Sequence, residues 1–210
     1  MENVYILEGA RTAFGSFGGS LKDVDPTDLG VTVSEEAIKR SGITPEDIDL
    51  TVMGNVIHSA NNAPYMVRHI ALKSGVPMES PALTVNRLCG SGLQSVVSAA
   101  QSIKLGEGKV ALTGGVENMS QSPYAMRGSR FGTKLGTPKV DDMLWAALTD
   151  EYIGKGMGVT AENLSEKYEI SREEQDAYAA ESHKRAAEAR NSGKFEEEIV
   201  PVEVKSRKGI

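Results

Sequence analysis

The residue with the clearest chemical potential in this sequence is its single cysteine, Cys89. It follows a predicted strand over 81–86 and precedes Gly90-Ser91-Gly92, which opens a predicted helix ending at Leu105. A thiol at the N-terminus of a helix faces unpaired N–H groups and the positive end of the helix dipole, which favour the thiolate. The same N–H groups could stabilise the oxyanion that forms when a thioester carbonyl is attacked. Two interpretations stay open, a nucleophile and a small buried apolar residue.

The histidines are weaker candidates for chemistry. His58 follows a predicted strand, and strand ends host functional residues in α/β folds. It is therefore the best candidate for the base of a cysteine hydrolase, although no histidine stands in a recognisable relation to Cys89. His69 lies in a helical pattern and His183 on a charged helix, as is typical of surface or hydrogen-bonded histidines. The three are far apart and there is no second cysteine, so the sequence predicts no metal site.

Three glycine clusters are candidates for nucleotide-phosphate loops. They lie at 15–20, 108–110 and 154–158, and none has the spacing of a dinucleotide-binding or P-loop motif. Glycine is common wherever the backbone turns tightly. We therefore interpret all three clusters as turns.

Composition and charge exclude several classes of protein. The chain has 210 residues with 23 Lys+Arg, 29 Asp+Glu and a net charge of −6, so it is a poor candidate for binding nucleic acid. No stretch approaches the roughly 18 consecutive apolar residues of a membrane span. One cysteine excludes an intramolecular disulfide, and the first five residues resemble neither a secretory leader nor a transit peptide. We therefore expect a cytoplasmic protein.

Short apolar runs alternate with helical patterns over residues 1–117. Strands are predicted over 4–8, 49–57, 81–86 and 110–116, and helices over 26–42, 64–74 and 92–105. This alternation is typical of βαβ units around a mostly parallel sheet. The sequence therefore predicts an α/β fold with the element order βαβαβαβ.

The pattern changes after Glu117. Residues 118–158 show no sustained periodicity, and such a long excursion indicates a functional segment or a small subdomain. Helices are then predicted over 159–169 and 171–192, the second opened by a capping box at Ser171, and a strand over 199–204. We predict two domains, 1–117 and 118–210.

Four segments match a known pattern in order and spacing. They are GART at 9–12, VNRLCGSG at 85–92, GGVENMS at 114–120 and MGVTAEN at 157–163. The second resembles the nucleophile motif of the thiolases, the acetyl-CoA acetyltransferases and 3-ketoacyl-CoA thiolases, and the others resemble that family's further motifs. The resemblance implies a thiolase-like layered fold. The chain would form its N-terminal core half, with a mixed sheet, and part of a mostly helical loop domain.

The resemblance also implies an activity, a reversible Claisen condensation and thiolysis in fatty acid metabolism. Cys89 would carry an acyl thioester, exchanged between acetyl-CoA and acetoacetyl-CoA or a longer 3-ketoacyl-CoA. These CoA thioesters and CoA would be substrates, with no further cofactor. By position, Met157 would line the acyl pocket with Leu148 beside it. The complete enzyme would be a homodimer or homotetramer, pairing through the strand before the nucleophile.

Some positions leave alternatives open. Arg127, Arg130, Lys134 and Lys139 form a basic loop that could meet CoA phosphates or an oligomer contact, or simply be solvated. Gly156 stands where many acetoacetyl-CoA thiolases have histidine, so the preferred acyl length stays open. The family's catalytic histidine, asparagine and second cysteine match no residue here. We therefore expect the chain alone to be inactive, and the alternative is a non-catalytic truncated fragment or assembly module.

Overall fold

A computed structural model of the chain describes residues 3–204. Contacts between residues divide the chain into two compact units. The first extends to Pro123 and includes the described residues from Val200 onward, and the second is Tyr124–Ile199. Each unit is described by itself below.

The boundary between the units lies a little beyond residue 117, where the composition changes. The side chain of Asn118 donates hydrogen bonds to the carbonyl oxygens of Leu21 and Val24, at 3.1 and 2.8 Å. The side-chain amide of Gln121 also donates to the carbonyl of Val24, at 2.9 Å. These bonds attach the segment after Glu117 to the first unit. The division into domains at 1–117 and 118–210 stays a prediction, and residues 205–210 lie outside the described part.

The first unit contains a three-stranded parallel sheet. Its strands are β1 (Leu50–Gly54), β2 (Ala82–Val85) and β3 (Ala111–Gly115). The order is β2-β1-β3, and Thr51 of β1 pairs with Ala82 on one side and Leu112 on the other. Every residue of β1 is buried, as expected for a central strand covered on both faces.

Helices cover both faces of this sheet. They are α1 (Pro26–Ser41), α2 (Met66–Lys73) and α3 (Ser91–Leu105). Alternate residues of β1 point to opposite sides, so Met53 joins the core under α1 and α2, while Val52 joins Ala99 of α3. Short 3₁₀ helices lie at Pro45–Asp47, Ala63–Tyr65, Met119–Gln121 and Ser129–Phe131. The predicted α/β class is confirmed.

Two predicted strands are wrong. Residues 4–8 form no strand, and their side chains are largely exposed, 82 % in the case of Ile6. An apolar run is compatible with a strand, but a strand also needs a neighbouring backbone in register. A cavity of about 450 Å³ lies between this segment and β3, α1 and α3. Residues 199–204 likewise form no strand beyond one hydrogen bond from the N–H of Val200 to the carbonyl of Arg11, at 2.8 Å.

These corrections change the element order of the first unit. Its described residues follow αβαβαβ rather than βαβαβαβ, and its sheet is parallel rather than mixed. Antiparallel pairing occurs in two short two-stranded sheets of the second unit. The strands there are β4 (Tyr124–Ala125) with β5 (Asp141–Asp142), and β6 (Thr149–Asp150) with β7 (Lys155–Gly156).

The rest of the second unit is mainly helical, as predicted. Its helices are α4 (Met143–Leu148), α5 (Met157–Lys167) and α6 (Arg172–Asn191). The predicted capping box at the start of α6 is confirmed, because Ser171 and Glu174 each accept the other's backbone N–H. None of the helices in residues 3–204 has the length and apolar character that crossing a bilayer requires.

Candidate active site

Cys89 lies exposed in the turn that joins β2 to α3. The side-chain oxygen of Asn86 accepts the N–H of Leu88 at 3.0 Å, as in an Asx turn. The N–H groups of Gly90 and Ser91 then donate to the carbonyls of Arg87 and Leu88, both at 3.0 Å. The turn is therefore built by short-range bonds that surround the cysteine.

The hydroxyl of Ser91 closes this turn. It accepts the N–H of Arg87 at 2.8 Å and donates to the carbonyl of Leu88 at 2.6 Å. Ser91 is buried, so these bonds are shielded from water. Both sides of the cysteine are thereby tied to the first residue of α3.

The residue before the cysteine has an unusual backbone conformation. Leu88 has φ of +48°, in the left-handed region that few residues other than glycine adopt. For an L-residue this conformation is unfavourable by about 1–2 kcal/mol. Such strain collects at functional sites, where the surrounding structure over-determines the backbone. No residue type or spacing in the sequence marks Leu88 as part of the site.

Glycines let the start of α3 lie directly on the ends of two strands. A Cβ added to Gly54, the last residue of β1, would lie 2.6 Å from the carbonyl carbon of Ser91. One added to Gly115, the last residue of β3, would lie 3.3 Å from the Cα of Gly92. Side chains at these positions would push the helix away. The close packing therefore places the cysteine turn at the carboxyl edge of the sheet.

Two polar residues join the carboxyl ends of the three strands. The backbone N–H of Asn55 donates to the carbonyl of Val85 at 3.2 Å. The side-chain amide of Asn55 donates to the carbonyl of Val116 at 3.0 Å and to the carboxylate of Glu117 at 2.9 Å. Glu117 also accepts the N–H groups of Val56 and Ile57, at 2.9 and 3.1 Å. Glu117 directly follows the strand predicted over 110–116, and Asn55 lies near the end of the strand predicted over 49–57. Polar residues at the ends of predicted strands are the signal that could identify them.

The electrostatics of Glu117 follow from its half-buried position. Burial raises the pKa of its carboxyl above the ordinary value, because the charged form is poorly solvated. The N–H groups of Val56 and Ile57, the amide of Asn55 and the charge of His58 oppose this shift by favouring the carboxylate.

The structure does not pair the candidate base with the cysteine. His58 is exposed, and no hydrogen bond joins it to Cys89 within residues 3–204. His69 stacks on Tyr65 at 5.9 Å and lies 3.3 Å from Asn62, so it is a hydrogen-bonded helix residue. His183 is exposed on α6. In the described part of the chain, no group of three or more His, Cys, Asp and Glu could hold a metal ion.

In the second unit, a hairpin brings the two predicted pocket residues together. Thr149 pairs with Gly156 across β6 and β7, and Leu148 and Met157 flank this pair. Both side chains are partly exposed, Leu148 by 40 % and Met157 by 47 %. Leu148 and Met157 therefore lie next to the same backbone pairing at the base of one hairpin.

The basic loop also belongs to the second unit. Arg127 lies 2.7 Å from the carboxylate of Asp141, next to the pairing of β4 with β5. Arg130, Lys134 and Lys139 are exposed. Three cations of this loop are thus presented to solvent, while the fourth is engaged in a surface ion pair.

Comparison with known proteins relates this arrangement to thiolases. The chain is 47% identical over 210 residues to the human mitochondrial 3-ketoacyl-CoA thiolase, covering all of this chain and 53% of that protein. It is 49% identical over 206 residues to a beta-ketothiolase of Cupriavidus necator, covering 98% and 52%. The chain therefore spans about half the length of these relatives.

The same likeness holds in three dimensions. The crystal structure of the human mitochondrial 3-ketoacyl-CoA thiolase in complex with CoA matches with a TM-score of 0.92 at 48% identity. The match covers 95% of this chain and 51% of that one. The family model of the thiolase N-terminal domain matches residues 4–210. The chain belongs to the thiolase family and corresponds to its N-terminal domain.

Proposed function

We propose that this chain supplies the nucleophile of a thiolase-type acyltransferase, with Cys89 as the residue that carries the acyl group. The observation that supports this most directly is the exposed thiol in a strand-to-helix turn whose backbone is strained at Leu88. This turn is held by Ser91 and by close packing against Gly54. A rigid and accessible nucleophile suits covalent catalysis.

The reaction has two steps. In the first, the Cys89 thiolate attacks a carbonyl carbon and a new C–S bond forms. With acetyl-CoA the attacked carbon is the thioester carbonyl, and its bond to the CoA sulfur breaks to release CoA. With a 3-ketoacyl-CoA the attacked carbon is the 3-keto carbonyl, and the bond between C2 and C3 breaks to release acetyl-CoA once C2 takes up a proton. In the second, the acyl group passes to the thiol of CoA in thiolysis, or to the α-carbon of acetyl-CoA in condensation. A covalent intermediate of this kind predicts ping-pong kinetics.

The proposed substrates are acetyl-CoA, acetoacetyl-CoA or a longer 3-ketoacyl-CoA, and CoA. The names of the human and bacterial relatives, 3-ketoacyl-CoA thiolase and beta-ketothiolase, support this class. We propose that Leu148 and Met157 form one wall of the acyl pocket, since the hairpin places them side by side with partly exposed side chains. We propose no cofactor besides these CoA thioesters.

The proposed partner is a second copy of the complete enzyme, in a homodimer or homotetramer. β2 is an edge strand in the described sheet, and Leu83 on it is 52 % exposed. An exposed edge strand is a template for pairing with another chain. A cytoplasmic location stays a prediction, and the human relative is named as mitochondrial.

A second candidate function is a non-catalytic assembly module. It is supported by the lack of a histidine bonded to Cys89 within residues 3–204. Without a base, the proton transfers of carbon–carbon bond formation have no catalyst. This candidate predicts no thiolysis of acetoacetyl-CoA by the 210-residue chain. Robust turnover by that chain would eliminate it.

Acetyl transfer to the cysteine tests the first proposal directly. The chain alone is not expected to turn over, but acylation is only the first half-reaction. We therefore expect the chain, incubated with acetyl-CoA, to gain one acetyl group by intact mass and to release one equivalent of CoA. A Cys89→Ser variant is the control and should gain no thioester. If the wild-type thiol reacts with iodoacetamide but takes no acetyl group, even with the C-terminal part of a relative supplied, the proposal is wrong.

A further inference from the structure

The carboxylate of Glu117 binds one short loop through three consecutive residues. It accepts the N–H groups of Val56 and Ile57 at 2.9 and 3.1 Å and the side-chain amide of Asn55 at 2.9 Å. These donors all belong to the loop that follows β1, whereas Glu117 follows β3. A carboxylate that accepts several N–H bonds forms strong, charge-assisted interactions. Glu117 therefore fastens this loop to the end of β3.

The same loop touches both ends of the cysteine turn. The N–H of Asn55 donates to the carbonyl of Val85, the last residue of β2 before the turn, at 3.2 Å. Gly54 packs against Ser91 so closely that an added Cβ would lie 2.6 Å from its carbonyl carbon. Packing this tight transmits displacement, because the interior has little free volume to absorb it. A shift of residues 54–57 must therefore move the turn that carries Cys89.

We propose that Glu117 is a positioning residue that holds residues 55–57 against β3 and thereby sets the geometry of the Cys89 turn. It acts through Asn55 and Gly54 and does not touch the thiol. The inference rests on the proposed role of Cys89 as nucleophile, since the geometry of the turn matters most if the thiol reacts.

The molecule contains a matched control for this role. Asp49, just before β1, accepts the N–H groups of Lys109 and Val110 with one carboxylate oxygen, at 2.6 and 3.0 Å. It fastens the same two strands, β1 and β3, at their opposite ends. Asp49→Asn therefore weakens a comparable clamp that lies at the other edge of the sheet from Cys89.

The test measures alkylation of Cys89 by iodoacetamide under native conditions. Because the chain has one cysteine, intact mass reports a single site. We expect Glu117→Gln to slow alkylation about two- to fivefold, the range that a helix terminus contributes to a nearby charge. Asp49→Asn should leave the rate unchanged. The urea midpoint is measured for both variants, because a purely structural role would lower the midpoint without changing the rate.

Chemical rescue provides a second measurement. In Glu117→Ala, added acetate should restore the alkylation rate by binding the freed N–H groups, and acetamide at the same concentration should not. If Glu117→Gln fails to fold, Glu117→Asp replaces it, since its shorter carboxylate keeps the charge but loses reach, and the same slowing is expected.

Two results would overturn the proposal. One is an unchanged rate in the Glu117 variants, and the other is equal slowing in Glu117→Gln and Asp49→Asn. Iodoacetamide requires only an accessible thiol and no CoA substrate. If acetyl transfer fails, the proposed function is contradicted, but the alkylation rates still test the role of Glu117. If the alkylation rates contradict the role of Glu117, acetyl transfer still tests the proposed function.

Discussion

The two ends of the β1–β3 pair use the same interaction in different surroundings. At the amino end, the exposed carboxylate of Asp49 accepts the N–H groups of Lys109 and Val110, and these bonds lower the pKa of Asp49. At the carboxyl end, the half-buried carboxylate of Glu117 accepts N–H groups from Val56 and other residues of that loop. There burial is the larger effect and raises the pKa of Glu117.

The difference indicates that the carboxyl end of the sheet is the end suited to a functional site. The amino end is a solvated clamp with an ordinary backbone. The carboxyl end also has a helix start packed on Gly54 and Gly115, a leucine at φ +48° and an exposed cysteine. Ligand sites in open α/β sheets lie at the carboxyl ends of the strands, where helix N-termini also point. The tightly packed helix start, the strained leucine and the exposed cysteine therefore all lie at the carboxyl edge of the sheet.

The largest expected effect concerns packing at the two ends. Gly54→Ala should destabilise the chain by about 3 kcal/mol, the upper end of the range for overpacking, because its Cβ would meet the backbone of Ser91 at 2.6 Å. In Gly108→Ala, at the amino end of the strand pair, the added Cβ would lie 2.8 Å from side-chain atoms of Asp49 and Leu50. The Leu50 methyl can rotate away, whereas the Cβ of Asp49 moves only with its backbone, so we expect an intermediate loss of about 2 kcal/mol there. Urea denaturation measures the loss of stability in both variants. Equal losses would show that the two ends of the β1–β3 pair do not differ in this way.

A smaller effect is expected from relieving strain beside the cysteine. Leu88→Gly should stabilise the chain by about 0.5–1 kcal/mol, the difference between the relieved left-handed strain and the greater flexibility of unfolded glycine. It should also slow alkylation of Cys89, because the turn becomes less rigid. The control is Glu169→Gly, at φ +54° after α5, which should gain similar stability. A gain at Glu169 accompanied by slower alkylation would contradict the link between strain and the cysteine.

The smallest effect is a difference in pH dependence. The pKa of Glu117 is raised above 4.5 in the folded chain, so its contribution to stability is present below pH 4.5 and is lost as pH rises through the folded pKa. The pKa of Asp49 is lowered below 3.8, so its contribution is present above pH 3.8 and is lost as pH falls through the folded pKa.

Urea titrations of Glu117→Gln and Asp49→Asn across acidic pH separate these contributions. Relative to wild type, Glu117→Gln should lose stability most at the acidic end of its window, whereas the deficit of Asp49→Asn should shrink there. Shifts of the same sign in both variants would show that the two carboxylates do not differ in the way that their surroundings imply.

The local features of this chain can be predicted from the sequence. The strand, turn and helix around Cys89 are as predicted, because apolar periodicity and glycines within about 20 residues specify them. The capping box of Ser171 and Glu174 spans four residues and is predictable for the same reason. The family motifs around the cysteine likewise depend on consecutive residues.

Features that depend on contacts between residues far apart in the sequence could not be predicted. The apolar residues 4–8 predict a strand, yet whether they pair depends on the distance to β3 rather than on their own pattern. The bond between Asn55 and Glu117 joins residues 62 positions apart, and nothing in either neighbourhood specifies the other. The positive φ of Leu88 arises because bonds on both sides of the turn hold it, although leucine by itself disfavours that region.

The α/β class, the nucleophile candidate and membership of the thiolase family all follow from the amino-acid sequence, since each is encoded in residue types and short spacings. Pairing of the strands depends on the assembled fold, which packs Gly54 against the cysteine turn and fastens Glu117 to residues 55–57. The fold also brought Leu148 and Met157 together across a hairpin. The physical reason is that propensity and periodicity act within a segment, whereas register, burial and close packing exist only once separate segments meet.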